Sequence, residues 1–178
     1  MQLSKRTKIL HITISFSMIF LLIIGIYMSE TETFSLYPIH KSIGVIVFLF
    51  AVFRVFTRIR EGWPKAIGNA SKIQLAMAKL VHWGLITLTV LYPASGMMMS
   101  GGGGHGIYVF GLELLASNHD DISGKTIALN ETIASIGHNL HETLVPVLIL
   151  LIIIHVAGAL KHHIFDKDKT ITRMFSFK

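Results

Sequence analysis

The chain of 178 residues has no cysteine, which excludes disulfides, thiolate metal sites, iron–sulfur clusters and covalent haem attachment. It is also short of charge. Only 15% of its residues are Asp, Glu, Lys or Arg against 52% hydrophobic, and its mean hydropathy of +0.61 argues against an ordinary soluble enzyme. Acidic residues are the scarcer sign, ten against sixteen Lys and Arg, and the net +6 would suit a nucleic-acid binder if the bases gathered on one surface. What the chain does have in quantity is histidine, ten residues that are its only numerous strong soft-metal ligands.

Four stretches are nearly free of charge. From Ile9 to Ser29 the only ionisable side chain near neutrality is His11, and the run MIFLLIIGIYM is apolar on every face, as a lipid-exposed helix must be. Further continuous apolar runs lie from about 34 to 53, 80 to 100 and 143 to 160. Lipid leaves backbone polar groups no partner except their own helix, so four runs predict four transmembrane helices. The expected fold class is all-α, an integral membrane four-helix bundle in one domain over 1–178. Its helices are expected at about 9–29, 34–54, 79–100 and 138–162, with an outer loop at 101–137. Lys5, Arg6 and Lys8 before the first run resemble a signal peptide's start, but the apolar core is too long and no small-x-small cleavage site follows. It is therefore read as a helix of the mature protein.

Orientation follows from the basic residues. Fourteen of the sixteen fall at the termini or in the connection between the second and third helices, and two, Lys41 and Lys125, fall opposite. The positive-inside rule then places both termini in the cytoplasm. Acidic residues split the other way, seven outside and three inside. The basic balance is thus a topology signal, no nucleic acid is expected, and the cluster RVFTRIR at 54–60 is read as a topology anchor. The outer loop opens with SGGGGHG, which lacks the preceding strand and following Gly-Lys-Ser/Thr of a phosphate loop. It is read as a flexible exit from the membrane or a close backbone approach to something bulky.

Ionisable side chains inside a membrane are expensive and call for a partner, a cavity or a metal. His11, His82 and His155 fall near the inner face, His40 and His141 near the outer. His141 and His155 are 14 residues apart, close to four whole turns, which puts them on one face about 21 Å apart along the axis. Two stacked sites follow. His40 is the outer partner for His141, whereas His155 has two candidates, His11 and His82. Gly44 follows His40, Ser15 follows His11 and Ala159 follows His155 by one turn, and Gly25 and Gly96 stand 14 residues after His11 and His82. Small residues beside paired imidazoles leave clearance for a porphyrin, and bis-imidazole ligation suits electron transfer. A lone membrane histidine is more often a polar interhelical contact, and a haem-free proton or metal-ion protein would use the same residues. His105, His119 and His138 read as solvated, although His138 and His141 at i, i+3 have metal-gripping spacing.

The segments KILH at His11, IHKSIG at His40, LVHWGL at His82, YPASGMMMS with Pro93 and Gly96, HETL at His141, HVAGALKHH from His155 and the closing KDKTITRM resemble, in this order, the prokaryotic cytochrome b561 family. The resemblance covers about residues 5–175. It implies two haem b per chain, one on His11 and His155 at the cytoplasmic side and one on His40 and His141, in a multi-pass protein of the bacterial inner membrane. It also implies electron exchange with membrane quinone, with His82, Trp83, His162 and His163 as candidate quinone-site residues. Some family members oxidise superoxide at the outer surface. The acidic outer side and the connection SETETFSLYP, which has no arginine, argue against a funnel for an anion, while Lys41 beside His40 supplies local positive charge. Two donor readings follow: a superoxide:quinone oxidoreductase, or an electron-transfer subunit docked to a periplasmic redox partner of hydrogenase or dehydrogenase type.

Overall fold

A computed structural model describes residues 3–63 and 71–176, so Lys65 and Lys178 of the charge count lie outside the described residues. Helix α1 (Lys5–Thr31) starts where the Ser4 hydroxyl accepts the Thr7 N–H at 3.1 Å. A 3-10 turn at Phe34–Leu36 leads into α2 (Tyr37–Glu61), which has Pro38 in its first turn, where a missing N–H costs nothing. Ser71 and Gln74 form a capping box that opens α3 (Lys72–Gly102), and the Asn130 side chain caps α4 (Glu131–Ile164). A short α5 (Thr170–Phe175) closes the chain. Each of the four long helices carries a stretch long and apolar enough to cross a membrane, so the protein is an all-α multi-pass bundle.

All four expected spans need correction at their ends. The expected 9–29, 79–100 and 138–162 fall short of helices that run Lys5–Thr31, Lys72–Gly102 and Glu131–Ile164, whereas the second, expected at 34–54, begins later, after the 3-10 turn, and runs on to Glu61. The apolar window reports the lipid thickness, whereas Ser4, Ser71 and Asn130 set where helical hydrogen bonding begins. The outer loop contracts accordingly, from 101–137 to the residues between Gly102 and Glu131. It holds an antiparallel hairpin of β1 (Ile107–Val109) and β2 (Leu112–Leu115), turned by Phe110 (φ 49°) and Gly111 (φ 92°). The Ser42 hydroxyl of α2 accepts the Phe110 N–H at 2.9 Å and so ties the hairpin to the bundle.

The glycine run is also not a flexible exit. Gly101 and Gly102 finish α3, and a Cβ on Gly102 would lie 2.7 Å from the Ala134 nitrogen of α4. Gly104 (φ +79°) presses on the Ile127 carbonyl. The close approach that glycine allows is to other backbone of the same chain.

At one end of the bundle the Ser4 and Thr7 hydroxyls bind the Glu61 carboxylate at 2.7 and 2.8 Å, and Lys8 Nζ donates to the Ser176 carbonyl. The start of α1, the end of α2 and the C-terminal segment therefore share one end, named the inner end after the orientation expected from the charge count; the hairpin marks the opposite end, named outer. The core joins Leu10, Ile14 and Met18 of α1 to Val47 and Ala51 of α2, Leu88 of α3 and Leu148 of α4. Side chains such as Phe16 (66% exposed), Leu49 (59%) and Ile153 (59%) face outward, as lipid contact requires. Helix α4 packs along α3, and α1 along α2. Between α1 and α4 lies an apolar groove of about 220 Å³, lined by Ile19, Leu22, Ile23, Ile26, Ile149, Ile152 and Ile153.

Candidate functional site

Helix α4 carries both histidine levels. At the outer level, His40 from the first turns of α2 faces His141, with ring centroids 6.4 Å apart and planes at 84°. His141 Nδ1 lies 3.0 Å from the Ser95 hydroxyl and 3.2 Å from the Tyr92 carbonyl. A carbonyl only accepts, so Nδ1 carries the hydrogen and Nε2 keeps a lone pair for a ligand. The Tyr92 ring stacks on the imidazole at 4.2 Å and 12°, which fixes its plane. Residues 92–96 of α3 thus form a complete seat for His141: a stacked ring, a hydroxyl, a carbonyl and, at Gly96, room for the imidazole.

At the inner level, His11 of α1 and His155 of α4 have ring centroids 6.1 Å apart at 50°. His82 of α3 stands closer to His155, 5.2 Å edge-on, with its Nδ1 2.5 Å from the Ala78 carbonyl. Trp63 lies 6.0 Å from His82 and 5.3 Å from Trp83, so His82 opens onto an aromatic cluster at the inner end.

These residues fit an iron held between paired imidazoles. Two rings bound at about 2 Å on opposite sides of one metal have centroids about 6 Å apart, which suits the two pairs at 6.1 and 6.4 Å and not the direct ring contact of His82 with His155. His11 Nδ1 and His40 Nδ1 are buried with no hydrogen-bond partner, so both rings keep a polar atom that the protein does not satisfy. A Cβ on Gly44, one turn from His40, would meet nothing within 4 Å. Gly25 and Gly96 work differently from the expected clearance for a flat ring. A Cβ on Gly25 would lie 3.3 Å from His40 Cε1, and one on Gly96 3.1 Å from His141 Cε1, so they make room for the imidazoles themselves.

The remaining sequence candidates separate. Trp83 joins His82, but His162 is held by carboxylates, its Nδ1 2.8 Å from Asp168 and 3.1 Å from Asp166, which folds the end of α4 against the C-terminal segment. Burial works to raise the Asp168 carboxyl, but hydrogen bonds from Thr170 and His162 outweigh it and hold the carboxyl below its ordinary value. His163 is exposed. His138 pairs with Glu142 at 3.3 Å and approaches Met99 Sδ, rather than sharing a metal with His141. His119 bonds to Ser117 and Thr126 in the outer loop, and His105 is exposed there. Tyr92 and Ser95 escaped the sequence reading because a lone Tyr or Ser in an apolar helix carries no pattern; their position in YPASG, just before Gly96, was the one available signal.

Over residues 2–177 the chain matches the family described as prokaryotic cytochrome b561. It is 30% identical over 136 residues to Cytochrome b561 homolog 2 of Escherichia coli (strain K12), covering 76% of this chain and 68% of that one. Cytochrome b561 homolog 1 of the same organism is 24% identical over 135 residues, 76% of this chain and 72% of that one. Similarity also extends to a protein of Yersinia pestis named Probable superoxide oxidase CybB, 25% identical over 140 residues, 79% of this chain and 74% of that one. With a match over nearly its whole length, four membrane-spanning helices and histidines paired between them, the chain belongs to the prokaryotic cytochrome b561 family, membrane electron-transfer proteins that bind b-type haem.

Proposed function

We propose that the protein holds two b haems per chain and moves electrons one at a time between a donor at its outer face and membrane quinone at its inner face. The observation that carries this reading is the pair of neighbouring imidazoles at each of two levels, His11 with His155 and His40 with His141, at nearly equal ring separations. The charge count supports an inner (cytoplasmic) membrane with both termini in the cytoplasm, and the hydrogen bonds joining α1, Glu61 and Ser176 are consistent with one shared side.

Bound b haem supplies a reversible one-electron couple, and two imidazoles on one iron leave no open position for oxygen. The chain's own residues supply the rest. Ser95 and the Tyr92 carbonyl hold the proton of His141 on Nδ1. His82, its Nδ1 on the Ala78 carbonyl, lies beside the Trp63 and Trp83 cluster and keeps Nε2 for a quinone. There it accepts a proton from a quinol hydroxyl when neutral and donates one to a quinone carbonyl when charged. Quinone exchange rests on His82 and Trp83; His162, bonded to Asp166 and Asp168, and His163 have no such setting.

For the donor, similarity to a protein named Probable superoxide oxidase CybB and Lys41 beside His40 favour superoxide. Seven acids against two bases on the outer side favour the second reading, a docked periplasmic redox protein. Turnover of superoxide with quinone by the purified protein alone decides between them. The haem assignment is tested by four variants. His40→Ala or His141→Ala should remove the outer haem alone, and His11→Ala or His155→Ala the inner alone, each halving the reduced-minus-oxidised absorbance. Retention of both haems in all four would refute it.

A further inference from the structure

A step of 14 residues links the two levels on every membrane helix. It joins His11 to Gly25 on α1, His82 to Gly96 on α3, His141 to His155 on α4 and, on α2, His40 to Arg54. Arg54 therefore stands on α2 at the inner level, on nearly the face from which His40 reaches the outer one. The structure bears this out. Arg54 Nε is buried with no hydrogen-bond partner, and its charge is felt at His11, His82 and His155. A topology anchor would extend its whole side chain to the headgroups; this side chain is partly buried, with its Nε enclosed by protein.

Among the described residues, the neighbouring charges are already occupied. Arg58 donates to the Gly62 carbonyl at 2.8 Å and lies 5.3 Å from the Trp63 ring, and Arg60 lies over Phe56 at 4.3 Å. Glu61 is held by Ser4 and Thr7, Asp166 by Lys161 and His162, and Asp168 by His162 and Thr170. No described carboxylate pairs with Arg54. A partly buried guanidinium at membrane depth, its Nε enclosed and with no described carboxylate as partner, carries a cost that a ligand bringing negative charge would offset.

Resting on the two-haem reading, we infer that Arg54 is the binding site for a propionate carboxylate of the inner haem. The two propionates are the only anionic side groups that a b haem carries, and a planar guanidinium fork matches a carboxylate with two parallel hydrogen bonds. A quinone carbonyl is neutral and would leave the charge uncompensated. A lipid phosphate at the surface would not reach the buried Nε, which a carboxylate inside the bundle would.

The test is a potentiometric titration of the full-length protein in mild detergent, with the inner component identified as the one missing from His155→Ala. Arg54→Gln should keep two haems and lower the inner component's reduced-to-oxidised ratio at fixed potential about tenfold, that is 59 mV for one electron, with the outer component unmoved. Arg54→Lys, which keeps the charge, should stay near the wild type. The exposed-site control Arg60→Gln should shift neither component. In redox-difference infrared spectra, propionate carboxylate bands should move in Arg54→Gln and stay in place in Arg60→Gln. If Arg54→Gln loses the inner haem, its retention by Arg54→Lys supports the inference and its loss from both refutes it. An unmoved inner midpoint, equal shifts in both components or unmoved carboxylate bands also refute it. Fewer than two haems in the wild type is a different failure, that of the two-haem reading itself.

Discussion

Replacing Ser95 with alanine removes one of the two hydrogen-bond partners of His141 Nδ1, the hydroxyl at 3.0 Å, and leaves the Tyr92 carbonyl at 3.2 Å. Because Nδ1 carries the proton, each acceptor it meets pushes electron density toward Nε2, makes that nitrogen a stronger donor and favours oxidised iron. A neutral hydrogen bond of this length is worth about 1 kcal/mol net. With tenfold equal to 59 mV for one electron, that energy corresponds to about 40 mV if all of it differs between the oxidation states. Ser95→Ala should therefore raise the outer haem's midpoint by up to about 40 mV and leave the inner one in place. Ser95 is 1% exposed and alanine nearly matches its volume, so the fold should lose only about 1 kcal/mol, for the hydroxyl's bond to the Tyr92 carbonyl. Optical redox titration of the two components, assigned with the His141→Ala and His155→Ala variants, reads the shift. A fall in the outer midpoint, no change, or an equal change in both would refute the second-partner role of Ser95.

Two more changes test the surrounding architecture. A Cβ on Gly44 meets nothing within 4 Å, so Gly44→Leu should fold but fill the space beside His40, removing the outer haem and sparing the inner one in the difference spectrum. Loss of the inner haem instead would mean that the space serves another purpose. His82→Ala should keep two haems per chain while slowing quinone reduction about a hundredfold, as expected for loss of a group that moves a proton; an unchanged rate in a quinone-reduction assay would remove His82 from the site.

The fold was legible wherever lipid dictates the sequence. Continuous apolar runs have one structural solution in a bilayer, and α1 to α4 follow from them. Their ends were not, because Lys5, Arg58, Lys72 and Glu131 interrupt the apolar window without interrupting the helix. The outer hairpin also escaped the reading, since its turn places Phe110, rather than the usual Asn or Asp, in the left-handed region before Gly111. Within the site, the 14-residue spacing of His141 and His155 made two levels readable, and the structure has His11 near His155 and His40 near His141, with ring centroids 6.1 and 6.4 Å apart. Spacing alone could not choose between His11 and His82 for His155, since both lie at the right depth. The resemblance implied His11, and the ring separations, 6.1 against 5.2 Å, support that reading. Arg54 was hidden by the charge count, in which every basic residue near the inner face looks alike. Gly25 and Gly96 lie against the His40 and His141 rings, a contact that spacing did not name, because a small residue announces a close approach without saying what approaches.

The most direct test of the two-level arrangement is haem content per chain, by pyridine haemochrome assay and reduced-minus-oxidised spectrum on protein purified in mild detergent. Two b haems per chain is the predicted result. One haem would mean that one of the two pairs, His11 with His155 or His40 with His141, does not hold iron, and none would contradict both.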